Sequence, residues 1–238
     1  MTLSISSVIA LNDDPRAAAR FYAVAFNSTI KSNSTELNIG GMDFELIEDA
    51  ERQLTPAVSF MVRFAPGQEN QLRSLWEHLM GGDDAIGNGG ALMPLTGYDF
   101  SPLFGWMADG NGVNWQMMID PSLGGSADGG AGDKAAGDKA TGPSVIPYFM
   151  WTGDEPQAQA ATEVYNTLFG AGNFMTLDSP GMHKFTFGDG VAMHLAADSD
   201  QELDSAREAL GLTDAEVAEG AGAVVKPQPD RFGVYWTL

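Results

Sequence analysis

The sequence predicts an α+β protein built from paired β-α-β-β-β modules in mixed or antiparallel sheets, arranged as two repeats. Three observations carry this. Residues 5–26 read as a strand-length apolar run, then an acidic residue with proline, then a helical pattern rich in aromatics. A hairpin pattern with a Gly-rich turn comes after that helix. The strand-then-helix order restarts at residues 57–80 and again at residues 145–169.

Taken in order, an apolar strand opens the chain, and Asp13 or Asp14 caps the helix behind it, with Pro15 in the first turn. Ala17, Phe21 and Ala25 recur at i, i+4 and i+8 beside Ala18 and Tyr22, so one helix face is buried. A short strand near residues 29–31 and a hairpin at 37–46, turning at Gly40-Gly41, come next. Residues 57–64 place Val58, Phe60, Val62 and Phe64 on one strand face. Residues 68–80 set Leu72, Leu75, Trp76 and Leu79 at helical spacing, and Gly81-Gly82 ends that helix. Strands near 91–95, 104–108 and 113–119 complete the unit.

In the second half, Val164, Tyr165 and Leu168 mark the buried face of a helix, and residues 185–195 read as a hairpin turning at Gly188-Asp189-Gly190. The chain then turns helical at 201–210 and 213–219. A fifth strand is missing there and the chain stops one strand short, so the second repeat reads as degenerate.

Composition sets the outer limits. Of 238 residues 12 are basic and 32 acidic, a formal net charge of −20, and there is no cysteine. The charge excludes a general nucleic-acid binder and disfavours anionic membranes. The missing cysteine excludes disulfide frameworks, thiolate metal sites and cysteine nucleophiles. No apolar run is long enough to span a bilayer and no signal peptide pattern is present, so a cytoplasmic protein is expected. Residues 122–142 hold seven glycines and two copies of AGDKA, and read as a flexible linker. They separate a first domain, 1–121, from a second, 143–238. The acidity is spread over both, net −9 and −10, as a solvated surface.

The paired modules, the Phe21-Tyr22 helix and the run Trp106-Met-Ala-Asp109-Gly-Asn-Gly112-Val-Asn-Trp115-Gln116 resemble the vicinal oxygen chelate superfamily. This is the fold of glyoxalases, bleomycin-resistance proteins and dioxygenases, and the chain looks most like its PhnB-like branch. The resemblance implies two modules forming one cupped sheet, with ligand or metal inside the cup. It also implies ligands on the first, fourth, fifth and eighth strands, here Ser6 or Ser7, Glu45, Ala57 and Gln116. Only Glu45 is a strong metal ligand among these, and a first-row metal usually needs three. No cofactor is therefore expected.

Strand alternation then sorts the side chains. Asp43, Glu45, Ser59, Met61, Arg63, Asn114 and Gln116 face the cup, with Ser6 and Val8 from the first strand and Trp106 beside them. In the second repeat the matching position is His194. Glu45 is the best candidate for a catalytic base in a shielded cup; its bland alternative is an ion pair with Arg63 or plain solvent contact. His194, alone on a strand between Met193 and Leu195, reads first as a hydrogen-bonded core residue, with a base or ligand as the alternative. His78 and His183 read as surface residues. Trp106, Trp115 and Met61 stack on a ligand or simply pack.

The leading expectation is metal-free binding of a small organic molecule in the first domain. A metal-dependent lyase, isomerase or dioxygenase using Glu45 is the alternative. A dimerisation module without ligand is the third. A homodimer is compatible with all three. No phosphate loop, nucleophile elbow or methyl-donor-binding domain is evident.

Overall fold

A computed structural model describes residues 3–30, 34–81, 89–124, 142–152, 155–178, 185–213 and 226–237. Four β-α-β units follow one another. The first is β1 (Ser4–Leu11), α1 (Pro15–Ala25), β2 (Glu36–Ile39) and β3 (Met42–Glu48). The second is β4 (Val58–Phe64), α2 (Glu69–Gly81), β5 (Gly90–Tyr98), β6 (Ser101–Ala108) and β7 (Asn114–Ile119). The third is β8 (Ser144–Trp151), α3 (Glu155–Phe169) and β9 (Met175–Asp178). The fourth is β10 (Val191–Ala196), α4 (Asp200–Leu210), β11 (Gln228–Pro229) and β12 (Tyr235–Thr237).

Local chemistry accounts for these elements. Asp14 caps α1 by accepting from the Arg16 amide at 2.9 Å, with Pro15 at the first helical position. The helix buries Ala18, Ala19, Phe21 and Tyr22. The β2–β3 turn uses Gly40 and Gly41 at φ of 58° and 91°, a region open to glycine at little cost. In β3, Met42, Phe44 and Leu46 are buried while Asp43 and Glu45 are exposed, the expected alternation. Ser199 caps α4 and Gly211 ends it in the left-handed conformation.

The strands form two six-stranded mixed sheets, in the orders β11-β12-β10-β1-β3-β2 and β5-β6-β7-β4-β8-β9. Each sheet takes one unit from either half of the chain. Antiparallel β1–β10 pairing joins the first unit to the fourth, and antiparallel β4–β8 pairing joins the second to the third. The two units of residues 1–121 therefore do not close a cup together. The physical reason is that β1 and β4, the opening strands, each find their free edge covered from the second half.

The second half is rebuilt by the same fact. Residues 185–190 are not a strand, and residues 191–196 open the fourth unit instead of closing a hairpin. Among the described residues no strand lies between β9 and β10, and parallel β10–β12 pairing matches β1–β3 and β4–β7. The expected strand near 29–31 is reduced to one bridge, Ile30 to Leu37. Most of the predicted linker, 125–141, and most of the helix expected at 213–219 lie outside the described residues. Among the described residues no helix is long and apolar enough to cross a membrane.

The core lies between the sheets and the helices, with Phe44, Phe60 and Trp115 in mutual ring contact at centroid distances of 4.9–6.3 Å. Burying one large apolar side chain contributes roughly 1.5–3 kcal/mol.

A device repeated in both halves ties the units together. Tyr22 of α1 donates to Asp109 Oδ2 at 2.8 Å, and Trp115 Nε1 donates to the same oxygen at 2.8 Å. The amides of Asn111 and Val113 donate to Oδ1. Tyr165 of α3 and Trp236 Nε1 donate to Asp230 Oδ2 at 2.6 and 2.9 Å, with the Phe232 and Val234 amides on Oδ1. The shared sequence is Asp-x-x-Gly-Val-x-Trp, at 109–115 and 230–236. Gly112 and Gly233 both take φ near 90°, at 84° and 93°. The clips join units one to two and three to four; the sheets join one to four and two to three.

Candidate functional site

The predicted pocket residues divide between the two sheets. Ser6, Val8 and Glu45 lie on the first sheet, and His194 joins them there, because Ser6 pairs with His194 across β1–β10. Ser59, Met61, Arg63, Trp106 and Gln116 lie on the second. Ala57, one residue before β4, goes with the second group. The implied four-strand ligand set thus does not converge: Ser6 and Glu45 stand on one sheet, Ala57 and Gln116 on the other.

On the first sheet one row of paired residues runs Thr237, His194, Ser6, Asp43 and Asn38 across five strands. Period-two alternation places these side chains on one face. His194 Nδ1 and Thr237 Oγ1 are 3.1 Å apart, and Asn38 Nδ2 donates to Asp43 at 2.8 Å. Above this row opens a cavity of about 490 Å³, lined by Ser4, Ser6, Asn38, Asp43, Glu45 and His194 among others. Among the described residues its charged lining is Glu36, Asp43 and Glu45. Val8 is buried beside Glu45 in the next row.

Glu45 is exposed to solvent and not shielded. It does not pair with Arg63, which lies on the other sheet and holds Asp120 at 2.6 Å. Desolvation raises the Asp120 carboxyl, but bonds from Ser122 and Arg63 outweigh it and bring the pKa below the ordinary value. Sequence reading missed Thr237, because the pairing of β12 with β10 leaves no local signal.

The face of the second sheet that carries Met61 is filled by its own side chains. Met61, Phe104, Trp106, Tyr148 and Met150 form one buried cluster. Gln116 donates to Ser59 Oγ at 2.9 Å. Trp106 meets Phe185 edge to face at 5.7 Å. Burial pushes the Tyr148 hydroxyl pKa above its ordinary value. Trp115, by contrast, packs in the core and bonds Asp109.

Of the remaining histidines, His78 is half-buried at the surface, stacking on Phe21 at 5.0 Å with its Nε2 buried. His183 lies outside the described residues.

The metal implied by the resemblance does not fit these residues. Among the described residues no group of three or more His, Asp or Glu side chains is placed to hold an ion. Glu45 and His194 are the strong donors that the four matching strand positions of the first sheet, Ser6, Glu45, His194 and Thr237, supply.

Two six-stranded mixed sheets of paired β-α-β units, each sheet joining a unit from either half of the chain, have the glyoxalase-like, vicinal oxygen chelate fold. Comparison with solved structures agrees. Glyoxalase I from Zea mays matches 98% of this chain and 92% of its own, at 10% identity and a TM-score of 0.52. A mutant form of that enzyme matches over the same shares at 11% identity and 0.54. A PhnB protein from Bacillus cereus covers 48% of this chain and 97% of its own, at 23% identity and 0.39. At such identities the likeness is one of fold. No family model and no curated protein matches the sequence.

Proposed function

We propose that the protein binds a small polar organic molecule, without a metal, in the open trough of the first sheet. The observation that carries the reading is the cavity of about 490 Å³ over the row His194–Ser6–Asp43–Asn38. That volume is within the usual range for small-molecule pockets. The lining is rich in acceptors, three carboxylates with Ser and Asn side chains, which favours a ligand that donates hydrogen bonds. Binding is favoured over turnover because Glu45 is exposed to solvent, whereas a catalytic base is best tuned in a shielded site.

The test is a metabolite screen on the full chain by thermal shift and native mass spectrometry, with protein purified without added metal. A retained organic mass lost in both Glu45→Gln and His194→Ala supports the reading. A divalent adduct that survives mild activation and disappears in Glu45→Ala overturns it in favour of a metal-dependent enzyme.

A further inference from the structure

The turn between β6 and β7 carries a chemistry that its twin near the end of the chain lacks. Both turns have the Asp-x-x-Gly-Val-x-Trp spacing, but Asn111 stands where the later turn has Phe232. Asn111 is followed by Gly112, and an Asn-Gly pair is the dipeptide most prone to lose its side-chain amide, because a residue without Cβ leaves its backbone nitrogen free to approach. In that reaction the Gly112 nitrogen gives up its proton and attacks Asn111 Cγ. The Cγ–Nδ2 bond breaks and ammonia leaves with the proton. Water then opens the cyclic imide to aspartate or isoaspartate at this position.

The structure ties both reacting groups to other partners. The Gly112 amide donates to the Asp109 carbonyl at 3.0 Å, closing a β-turn with Asn111 in its third place. Asn111 Nδ2 donates to Tyr22 Oη of α1 at 3.0 Å, and the Asn111 backbone amide donates to Asp109 Oδ1 at 2.8 Å. Ring closure needs the Gly112 and Nδ2 bonds open together. Tyr22 is 1% exposed, whereas Asn111 and Gly112 are half-buried, so water has access to the turn once the side chain swings out. The amide that would leave is the one the phenol holds: Tyr22 donates to Asp109 and accepts from Asn111. In the second clip Tyr165 donates to Asp230, and the matching position offers the Phe232 ring, 5.8 Å from that of Tyr165, in place of an amide.

We propose that Asn111 is a deamidation site gated by the Tyr22–Asp109 clip, and that its reaction keeps the clip from re-forming. The product carboxylate has no N–H for Tyr22 Oη and sets a second negative charge beside Asp109. Isoaspartate also adds a carbon to the main chain inside the turn, which takes the Gly112 amide away from the Asp109 carbonyl. Local opening of the first clip thus leads to a one-way covalent step, and the second clip, with Phe232, has no such step at the matching position.

The test incubates the full chain at mildly alkaline pH and reads the amide-to-acid mass gain at Asn111 by peptide mass spectrometry. The folded wild type is compared with the wild type in urea, with Tyr22→Phe and with Tyr165→Phe. The folded wild type should react more slowly than the chain in urea by about tenfold or more, since two hydrogen bonds must open first. Tyr22→Phe removes the acceptor of Asn111 Nδ2 and should raise the folded-state rate by about fivefold or more. Tyr165→Phe weakens the other clip without touching Asn111, and should leave the rate within about twofold. A folded-state rate equal to that in urea, no acceleration by Tyr22→Phe, or equal acceleration by both variants overturns the proposal. The comparison with urea decides the matter if Tyr22→Phe fails to fold. The consequence for the clip is read in Asn111→Asp. Adding Tyr22→Phe to that variant should move the denaturant midpoint by about half or less of what Tyr22→Phe does alone, and full additivity overturns that part of the proposal.

Discussion

Tyr165 donates to Asp230 across 65 residues of chain just as Tyr22 donates to Asp109 across 87. In both pairs a helix from one unit reaches the closing turn of the next, and the carboxylate collects a phenol, an indole and two backbone amides. The sheets then join what the clips do not, so the four units form a closed ring of contacts. The trough of the first sheet follows from that ring: the first half brings Ser6 and Glu45, and the second brings His194, with Thr237 at hydrogen-bond distance from its ring.

The clips should be comparable and independent. Tyr22→Phe and Tyr165→Phe each take one donor from a buried carboxylate, at a cost of about 1–3 kcal/mol. The two sites share no partner, so the double variant should lose the sum within about 0.5 kcal/mol. Denaturant unfolding checks this. Loss of much less than 1 kcal/mol in either variant would remove the clip from the account.

Asp109 makes part of the stability depend on pH. Burial raises its carboxyl from 3.8 to about 6, while the Trp115 and Tyr22 side chains and two amides pull the other way. A raised carboxyl pKa means the folded state holds the proton more tightly than the unfolded chain. Its contribution is therefore complete below the unfolded value and is lost as pH rises through about 6. Relative to Asp109→Asn, the wild type should lose about 3 kcal/mol between pH 4 and 7, from roughly two units at 1.36 kcal/mol each. A difference between the two proteins that stays flat across this range contradicts the assignment.

Gly40 and Gly41 separate backbone strain from packing between halves. Both have positive φ, yet a Cβ at Gly41 meets nothing within 4 Å, whereas one at Gly40 lies 2.7 Å from the Pro143 carbonyl oxygen. Gly41→Ala should cost about 1 kcal/mol from its backbone conformation. Gly40→Ala should cost about 1–3 kcal/mol more, because the first-half hairpin must move off β8. Thermal unfolding of the two variants reads the difference; equal losses would mean the hairpin does not rest on the second half.

Much of the strand-level fold was legible because it rests on local alternation. β3 sorts its faces as its sequence implies, since a one-residue slip would expose its apolar side chains. β4 and β7 are buried on both faces, and alternation sends Val58, Phe60, Val62, Trp115 and Met117 to the main core and Met61 and Met118 to the other cluster. The pairing of those strands was not legible. Nothing near Ser6 says that His194 lies opposite it, because register between strands nearly 190 residues apart is set by the closure of the whole ring. The fourth unit was misread because β10 ends a Gly-rich turn, which looks like the second arm of a hairpin. A signal was present all the same: Asp230-Arg-Phe-Gly-Val-Tyr-Trp236 repeats the spacing of Asp109-Gly-Asn-Gly-Val-Asn-Trp115 and marks the end of a complete unit. His194 and Glu45 were named as separate candidates in separate repeats, and only the β1–β10 pairing brings them to one trough.

A composite trough requires both halves of the chain. The most direct measurement expresses residues 1–124 and 142–238 separately, then mixes them and follows mass, circular dichroism and unfolding. Residues 1–124 alone should be unfolded or self-associated, since β1 and β4 each lose an antiparallel partner. Mixing should give a 1:1 complex with a cooperative unfolding transition and the ligand binding of the intact chain. A cooperatively folded monomer of 1–124 that binds the same ligand would contradict it.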